Sequence, residues 1–332
     1  MIGGSRHESS GGDGAGRKRT SPHRPRTALV LGAGGIKTVC HIGLFKALKR
    51  ENIPIDLVVG SSGGGLFGAA FALGVEPEQI ERWVRVYWRP AVFRDFGYLQ
   101  FLKMLSPRHL HFDENFGIIK GEEVRRLLTR LFGRLTFENT KIALRVVATD
   151  LQTGDAVVVR EGSLVEAIRA SVAIPVFFQP YRVDGRYLVD GALCAPLPIE
   201  HAIAESAEVI ICMGFPNQPY EHIDTPLRLV TQIMRISGNR LYRAELAFHA
   251  RNPNVEVVPV EIQFEARLGM RDVAEIPRLI EAGEQAAMAR MPYIKRTIAN
   301  FNSTGNRAKR RLRLSVRRAL RTSISDLPEY GG

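Results

Sequence analysis

The sequence predicts an α/β fold, a three-layer α/β/α sandwich around a mostly parallel central sheet. Three observations predict it. Two short apolar runs, TALVL (27–31) and IDLVV (55–59), each end in a Gly-rich turn that opens a helix-like stretch. Unbroken apolar strands of this kind belong to parallel sheets covered on both faces. Further apolar runs, IALRVVAT (142–149), AVVVR (156–160), EVIICM (208–213) and VEVVPV (255–260), alternate with helical stretches, which implies one layered domain.

The elements come in order along the chain. After the first turn, Val39, Ile42, Gly43, Phe45, Ala47 and Leu48 give a helix its small and apolar faces. After the second, GSSGGG leads into the helix LFGAAFAL. Residues 76–135 read as a helical insertion over one end of the sheet. They hold the aromatic set Trp83, Tyr87, Trp88, Phe93, Phe96, Tyr98, Phe101, Phe112 and Phe116. A helix is expected near 163–171, extended segments near 176–189, and helices over roughly 225–250 and 272–301. No internal repeat is present.

A chain of 332 residues, 45% hydrophobic and 24% charged, is neither wholly disordered nor collagen-like. No apolar run reaches the roughly 18 residues of a spanning helix. Cys40, Cys194 and Cys212 sit in apolar stretches and read as buried free thiols, which fits a reducing compartment. The opening MIGGSRHESSGGDGAGRKRT lacks the apolar stretch of a secretory signal, and Glu8 and Asp13 argue against a transit peptide. The expected location is cytoplasmic. The net charge of +12 is unevenly placed: residues 1–26 carry +4 and residues 302–332 carry +6, leaving +2 for 27–301. Residues 1–26, rich in Gly, Ser and Arg, are expected to be a disordered basic tail, because too little apolar surface is available to offset the entropy of ordering.

The sharpest local signal is Gly60-Ser61-Ser62-Gly63-Gly64, which fits G-x-S-x-G between an apolar strand and an apolar helix. A tight strand-to-helix turn projects the middle serine at the carboxyl end of the sheet, above a helix N-terminus that favours developing negative charge. This makes Ser62 a candidate nucleophile. A plain Gly-Ser turn is the alternative, under which Ser61 is as suitable as Ser62.

Gly32-Ala33-Gly34-Gly35-Ile36-Lys37-Thr38 comes after the first strand. As a dinucleotide fingerprint it fails at Lys37, where Gly or Ala is wanted, and the acidic residue expected at the end of the second strand is missing. As an oxyanion hole it is suitable, since successive glycines let backbone N–H groups converge on one point.

The nucleophile needs a base. None of the eight histidines sits in a turn that marks a triad; His41 reads as a packed helix residue, and an order ending at His222 or His249 stays open. Asp150 and Asp190 each end a strand and by spacing alone either suits the role. Asp150 also reads as a turn cap. Asp190 is followed by Gly191 and Ala192, which leave it room to reach inward.

Taken together, GAGGIKTVCHIGLFKAL, GSSGG and ASVAIPVFFQPYRVDGRYLVDGALCAPLPI strongly resemble the patatin-like phospholipases over about residues 28–204. The resemblance implies a catalytic dyad, with Ser62 as nucleophile and Asp190 as general base. It places the oxyanion hole at Gly34, Gly35, Ile36 and Lys37, with the motif turns at Gly60, Gly64, Gly191 and Ala192. It implies no metal and no cofactor. The expected activity is hydrolysis of fatty acyl esters of phospholipids or lysophospholipids through an acyl-serine. The rivals are a weakly active or inactive lipid-binding scaffold of the same fold, and a thioesterase or transacylase. The loop departs from the family's pattern at Ala33 and Thr38, which replace its first and last glycines; a β-branched Thr38 is expected to narrow the loop and to resist left-handed angles.

A bilayer lipid must also reach the serine. The aromatic insertion at 83–116 is expected to wall a channel or to form the core of a helical subdomain. In 309–327, Leu312, Val316, Ala319, Leu320, Ile324 and Leu327 fall at helical spacing beside a basic face. That pattern suits peripheral contact with an anionic membrane surface; a solvated tail and a nucleic-acid contact are the alternatives. The body carries no nucleic-acid motif, so no specific nucleic-acid partner is expected.

Overall fold

The computed structural model describes residues 24–89, 113–264, 268–269 and 272–301. The expectations for residues 1–23, for Phe93, Phe96, Tyr98, Phe101 and Phe112, and for the basic segment 302–332 lie outside the described residues.

The first half of the chain forms β1 (Thr27–Leu31), α1 (Cys40–Arg50), β2 (Leu57–Ser61), α2 (Gly63–Ala72), α3 (Pro77–Tyr87), β3 (Gly117–Ile119), α4 (Glu122–Phe132), β4 (Ala143–Asp150) and β5 (Ala156–Val159). The second half forms α5 (Leu164–Ser171), β6 (Val176–Phe178), β7 (Tyr181–Val183), β8 (Arg186–Asp190), α6 (Ile199–Ala204), β9 (Val209–Met213), α7 (Pro226–His249), β10 (Glu256–Pro259) and α8 (Ile276–Asn300). The central sheet has the order β10-β9-β1-β2-β4-β8-β7, with β5 also paired to β4. From β10 through β4 every neighbouring pair is parallel; β5, β8 and β7 pair antiparallel.

The strand period of two sorts side chains into two layers. Leu29 and Leu31 of β1 face a cluster that includes residues of α1, α2, α3, α4, α5 and α8. Ala28 and Val30 face a smaller cluster with Ile199 and Ala202 of α6 and Tyr242 of α7. Helices thus cover both faces, and the apolar strands are buried as their composition requires. On the larger face α1 and α8 cross at glycines: a Cβ on Gly43 would lie 2.0 Å from the Ile280 carbonyl oxygen, and one on Gly283 would lie 2.0 Å from that of Cys40.

The insertion is not purely helical. Its described part holds α3 and α4, but Gly117–Ile119 forms β3, parallel to β6 through Gly117↔Val176 and Ile119↔Phe178. Three residues are too few to show alternation, so the strand leaves no pattern to read.

One edge of β4 decides where the functional groups go. β2 pairs with Ala143 through Val147, and β5 with Val146 through Thr149. Both claim Val146 and Val147, so they lie on opposite edges of β4. β8 pairs with Ala148 through Asp150, and shares Ala148 and Thr149 with β5. β8 therefore lies on the β2 edge. β2 and β8 approach along that edge from opposite directions and stop end to end, Ser61 opposite Val147 and Asp190 opposite Ala148.

Candidate active site

Ser62 stands at the break between β2 and α2, with φ 56° and ψ −128°. A non-glycine residue in this region is strained and persists only where its surroundings hold it. Two contacts hold it here. The Ser62 N–H donates to Ser171 Oγ at 2.8 Å, and Ser171 Oγ donates to the Val147 carbonyl at 2.6 Å. The turn also closes tightly: a Cβ on Gly64 would meet the Leu31 carbonyl oxygen at 2.0 Å, and one on Gly60 would meet Gly64 itself at 2.5 Å.

From this position Ser62 Oγ donates to Asp190 Oδ2 at 2.7 Å. Asp190 Oδ1 accepts the Ala192 N–H at 2.8 Å, so both carboxylate oxygens are engaged. Its backbone is fixed as well, its N–H donating to the Ala173 carbonyl and its carbonyl accepting from Thr149 Oγ1. Gly191 is needed for the approach, since a Cβ there would lie 2.2 Å from the Val147 carbonyl oxygen. Asp190 is 3% exposed, and burial pushes its carboxyl up to about 6, against the pull of the Ala192 N–H and the Ser62 hydroxyl.

The glycine loop leaves β1, the strand next to β2, and winds into a 3-10 turn over Gly35–Val39. Among the described residues no acceptor meets the N–H groups of Gly34, Gly35 or Ile36, nor that of Gly63 behind the serine. Unpaired N–H groups at helix starts attract anions. Lys37 is placed differently from Gly34, Gly35 and Ile36. Its N–H donates to the Gly34 carbonyl at 3.3 Å, so the amide is not free for an oxyanion. Its ammonium turns away to the Pro216 carbonyl at 3.0 Å and Asn217 Oδ1 at 2.9 Å. Thr38 does not narrow the loop through a left-handed backbone. Neither it nor Ala33 has a positive φ. Thr38 Oγ1 donates to the Gly35 carbonyl at 2.6 Å, and the side chain fills the space in front of Gly63.

The other candidates fall elsewhere. Ser61 is fully buried with its Oγ unpartnered. Asp150 Oδ1 accepts from the Gln152 and Thr153 amides, a turn cap. His41 is buried in α1 with Nε2 near the Met213 carbonyl at 3.3 Å, and burial pushes it down to about 3, so it is neutral. Cys40 and Cys212 are buried thiols pushed up to about 12, whereas Cys194 is only half-buried, beside Thr149. Among the described residues one group has metal-ligand spacing, Glu200, Glu245 and His249, with ligand atoms within 4.8 Å of one another; it includes neither Ser62, Asp190 nor a residue of the glycine loop. No described helix is long and apolar enough to cross a membrane.

An apolar cavity begins one helical turn beyond the serine. Leu66, whose N–H donates to the Ser62 carbonyl, lines it together with Phe67 and Ala70 of α2, Trp83 and Tyr87 of α3, Leu128 and Phe132 of α4, and Ile168 of α5. Its accessible volume is about 130 Å³, and it opens to solvent. Of the described aromatics of the insertion, Trp83 meets Phe132 edge to face at 6.3 Å and also lines this space.

A parallel α/β sheet that carries a strained serine and a carboxylate at strand ends defines a class of protein. A family model for the patatin-like phospholipases matches residues 29–203, more than half of the chain, and the chain belongs to that family. An uncharacterized NTE family protein of Mycobacterium tuberculosis is 29% identical over 228 residues, which are 65% of this chain and 59% of that protein. Patatin-like phospholipase domain-containing protein 6 of Mus musculus is 27% identical over 203 residues, 60% of this chain and 14% of that protein. The chain thus spans only part of the length of these relatives. Among solved structures, human GIVD cytosolic phospholipase A2 aligns with a TM-score of 0.46 at 9% identity, over 83% of this chain and 63% of that one. VipD from Legionella pneumophila aligns with a TM-score of 0.41 at 15% identity, over 82% and 67%. Likenesses of this size carry no weight beside the geometry of the site itself.

Proposed function

We propose that this chain is a serine acyl hydrolase of lipids, of phospholipase A or lysophospholipase type, working through Ser62 and Asp190. The observation that carries the reading is the 2.7 Å hydrogen bond from Ser62 Oγ to Asp190 Oδ2. Ser62 Oγ attacks the ester carbonyl carbon while its proton passes to Asp190. The carbonyl oxygen becomes an oxyanion and accepts from the free amides of Gly34, Gly35 and Ile36, each such donor contributing about 3 kcal/mol in comparable sites. The ester C–O bond breaks, and the departing alcohol takes the proton from Asp190. Water then attacks the acyl-serine, gives its proton to Asp190, and frees the fatty acid as Ser62 recovers its hydrogen. A carboxyl pushed up to about 6 is a stronger base than an exposed aspartate and is still ionised at neutral pH.

The apolar cavity beside α2 suits the acyl chain, which places the ester at the serine and the tail among Leu66, Ala70 and Trp83. Contact with an anionic membrane through the basic segment 309–327 belongs to the same reading. The test is fatty acid release from a panel of phospholipids, lysophospholipids, acylglycerols and acyl thioesters. Release from phospholipids or lysophospholipids that vanishes in Ser62→Ala is the expected result. No release from any of them would overturn the reading in favour of a lipid-binding scaffold. Release from thioesters alone, or transfer of the acyl group to added glycerol, would overturn it in favour of a thioesterase or transacylase.

A further inference from the structure

A second cleft opens on the far side of the glycine loop. β10, β9, β1 and β2 are parallel neighbours in that order, so their carboxyl ends share one rim of the sheet. Ligands in open α/β sheets bind along such a rim. The segments leaving the carboxyl ends of three of these strands build the cleft: Lys37 after β1, Pro216 and Asn217 after β9, Ile262 and Phe264 after β10. Ser62 comes directly after the fourth, one strand spacing (about 4.8 Å) beyond β1. The remaining wall is α7, which turns Arg235, Asn239 and Arg243 inward at successive turns, with Arg240 beside them.

The charge of this cleft is one-sided. Lys37, Arg235, Arg240 and Arg243 line it, and none of the described residues lining it is acidic. Two of the cations are structural. The Lys37 ammonium is bonded to Pro216 and Asn217, which leaves one of its three donors. Arg235 donates to the Gln218 carbonyl at 2.7 Å and stacks on Tyr220 at 4.1 Å. Arg240 and Arg243 are exposed and have no hydrogen bond or ion pair with any described residue. The walls are tied together before any ligand arrives. Asn217 and Asn239 exchange two hydrogen bonds of 2.7 and 2.6 Å, and Gln218 donates to the Phe264 carbonyl at 2.8 Å. Burial first, and the nearby Arg235 second, push Lys37 down to about 8.

We propose that this cleft binds a phosphate group, with Arg240 and Arg243 as its ligands and Lys37 and Arg235 as fixed charge around it. Guanidinium groups match phosphate oxygens in pairs, and a phosphate would restore the missing negative charge. In a phospholipid only the glycerol backbone separates the phosphate from the acyl esters, and the strand that leads to Ser62 is the neighbour of β1, whose loop brings Lys37 to the cleft. Ile236, Ile262 and Phe264 give the cleft apolar walls that suit such a lipid as well as a free phosphate. The lipid form of the proposal rests on the hydrolase reading above; the phosphate site itself does not.

Binding is measured by calorimetry on the full chain carrying Ser62→Ala, so that turnover plays no part. The probes are a short-chain phosphatidylglycerol, the matching diacylglycerol and inorganic phosphate. The expected result is phosphatidylglycerol binding about ten-fold tighter than diacylglycerol, with that advantage lost in Arg240→Gln/Arg243→Gln and partly restored in Arg240→Lys/Arg243→Lys. Inorganic phosphate that binds and displaces the phospholipid identifies the lipid headgroup as the source. Arginine-dependent binding of inorganic phosphate with no phospholipid advantage identifies a free phosphate. Equal affinity for the two lipids with no phosphate binding overturns the proposal, as does binding unchanged in a Gln variant whose thermal unfolding matches the parent. Failure of the hydrolase reading would show separately, as absent fatty acid release from the chain with Ser62 intact.

Discussion

Ser171 holds the backbone of Ser62 in place, accepting its N–H at 2.8 Å while donating to Val147 in the neighbouring strand. The strained φ of Ser62 is thus anchored to β4 by a side chain more than a hundred residues away in sequence. Ser171→Ala leaves that N–H buried without an acceptor, at a cost of about 1–3 kcal/mol. Chemical unfolding should show that loss, and kcat should fall about ten-fold while KM changes little. Unchanged kcat would mean that the turn keeps its shape without the anchor.

Asp190→Asn is expected to separate stability from activity. The amide can still accept from Ala192 and face Ser62, so the packing survives, but the base is gone and kcat should fall about 100-fold or more. The carboxyl is raised from its ordinary 3.8 to about 6, so between those values the folded chain holds a proton that the unfolded chain has released. Stability from this group is therefore lost as pH rises through the window, roughly 3 kcal/mol by pH 7. Urea unfolding should show the Asn variant more stable than the parent at pH 8 and gaining nothing at pH 4. The parent's kcat/KM should decline below about pH 6, where Asp190 becomes protonated.

Thr38→Gly should lower activity rather than raise it. The threonine bonds Gly35 and packs against Gly63 without a left-handed backbone, so glycine adds freedom to a loop whose amides must point one way. A loss of about 1 kcal/mol in stability and several-fold in kcat is expected, read from thermal melts and ester hydrolysis.

Ala70→Phe fills the apolar cavity from α2. Hydrolysis of long-chain p-nitrophenyl esters should fall at least about ten-fold in kcat/KM, while acetyl and butyryl esters keep theirs. Equal losses across chain lengths would place the acyl group elsewhere.

Much of this was legible in the residues. β1, β2 and β9 are apolar runs with polar residues only at their ends, β4 is interrupted by Arg145 and β10 opens on Glu256, and burial on both faces of a parallel sheet is what produces such runs. Gly60 to Gly64 could be read as a tight turn because only glycine fits where that turn meets Leu31. Other features left no local mark. The pairing of β3 with β6 involves three residues each. Ser171 is one serine at a helix end, and its role exists only through its contacts with Ser62 and Val147. The motif located Lys37 but not the direction of its side chain, which is set by Pro216 and Asn217 far along the chain. Asp190 and Asp150 looked alike as strand-end carboxylates; the register on β4 separates them, turning one toward Ser62 and the other into its own turn.

The most direct measurement is fluorophosphonate labelling followed by peptide mass spectrometry on the parent chain, Ser61→Ala, Ser62→Ala and Asp190→Asn. The geometry predicts one labelled site, Ser62, with Ser61→Ala labelling like the parent, Ser62→Ala not at all and Asp190→Asn far more slowly. A label that lands on another residue, or that forms equally fast without the Asp190 carboxylate, would contradict the pairing of these two side chains as the reactive centre.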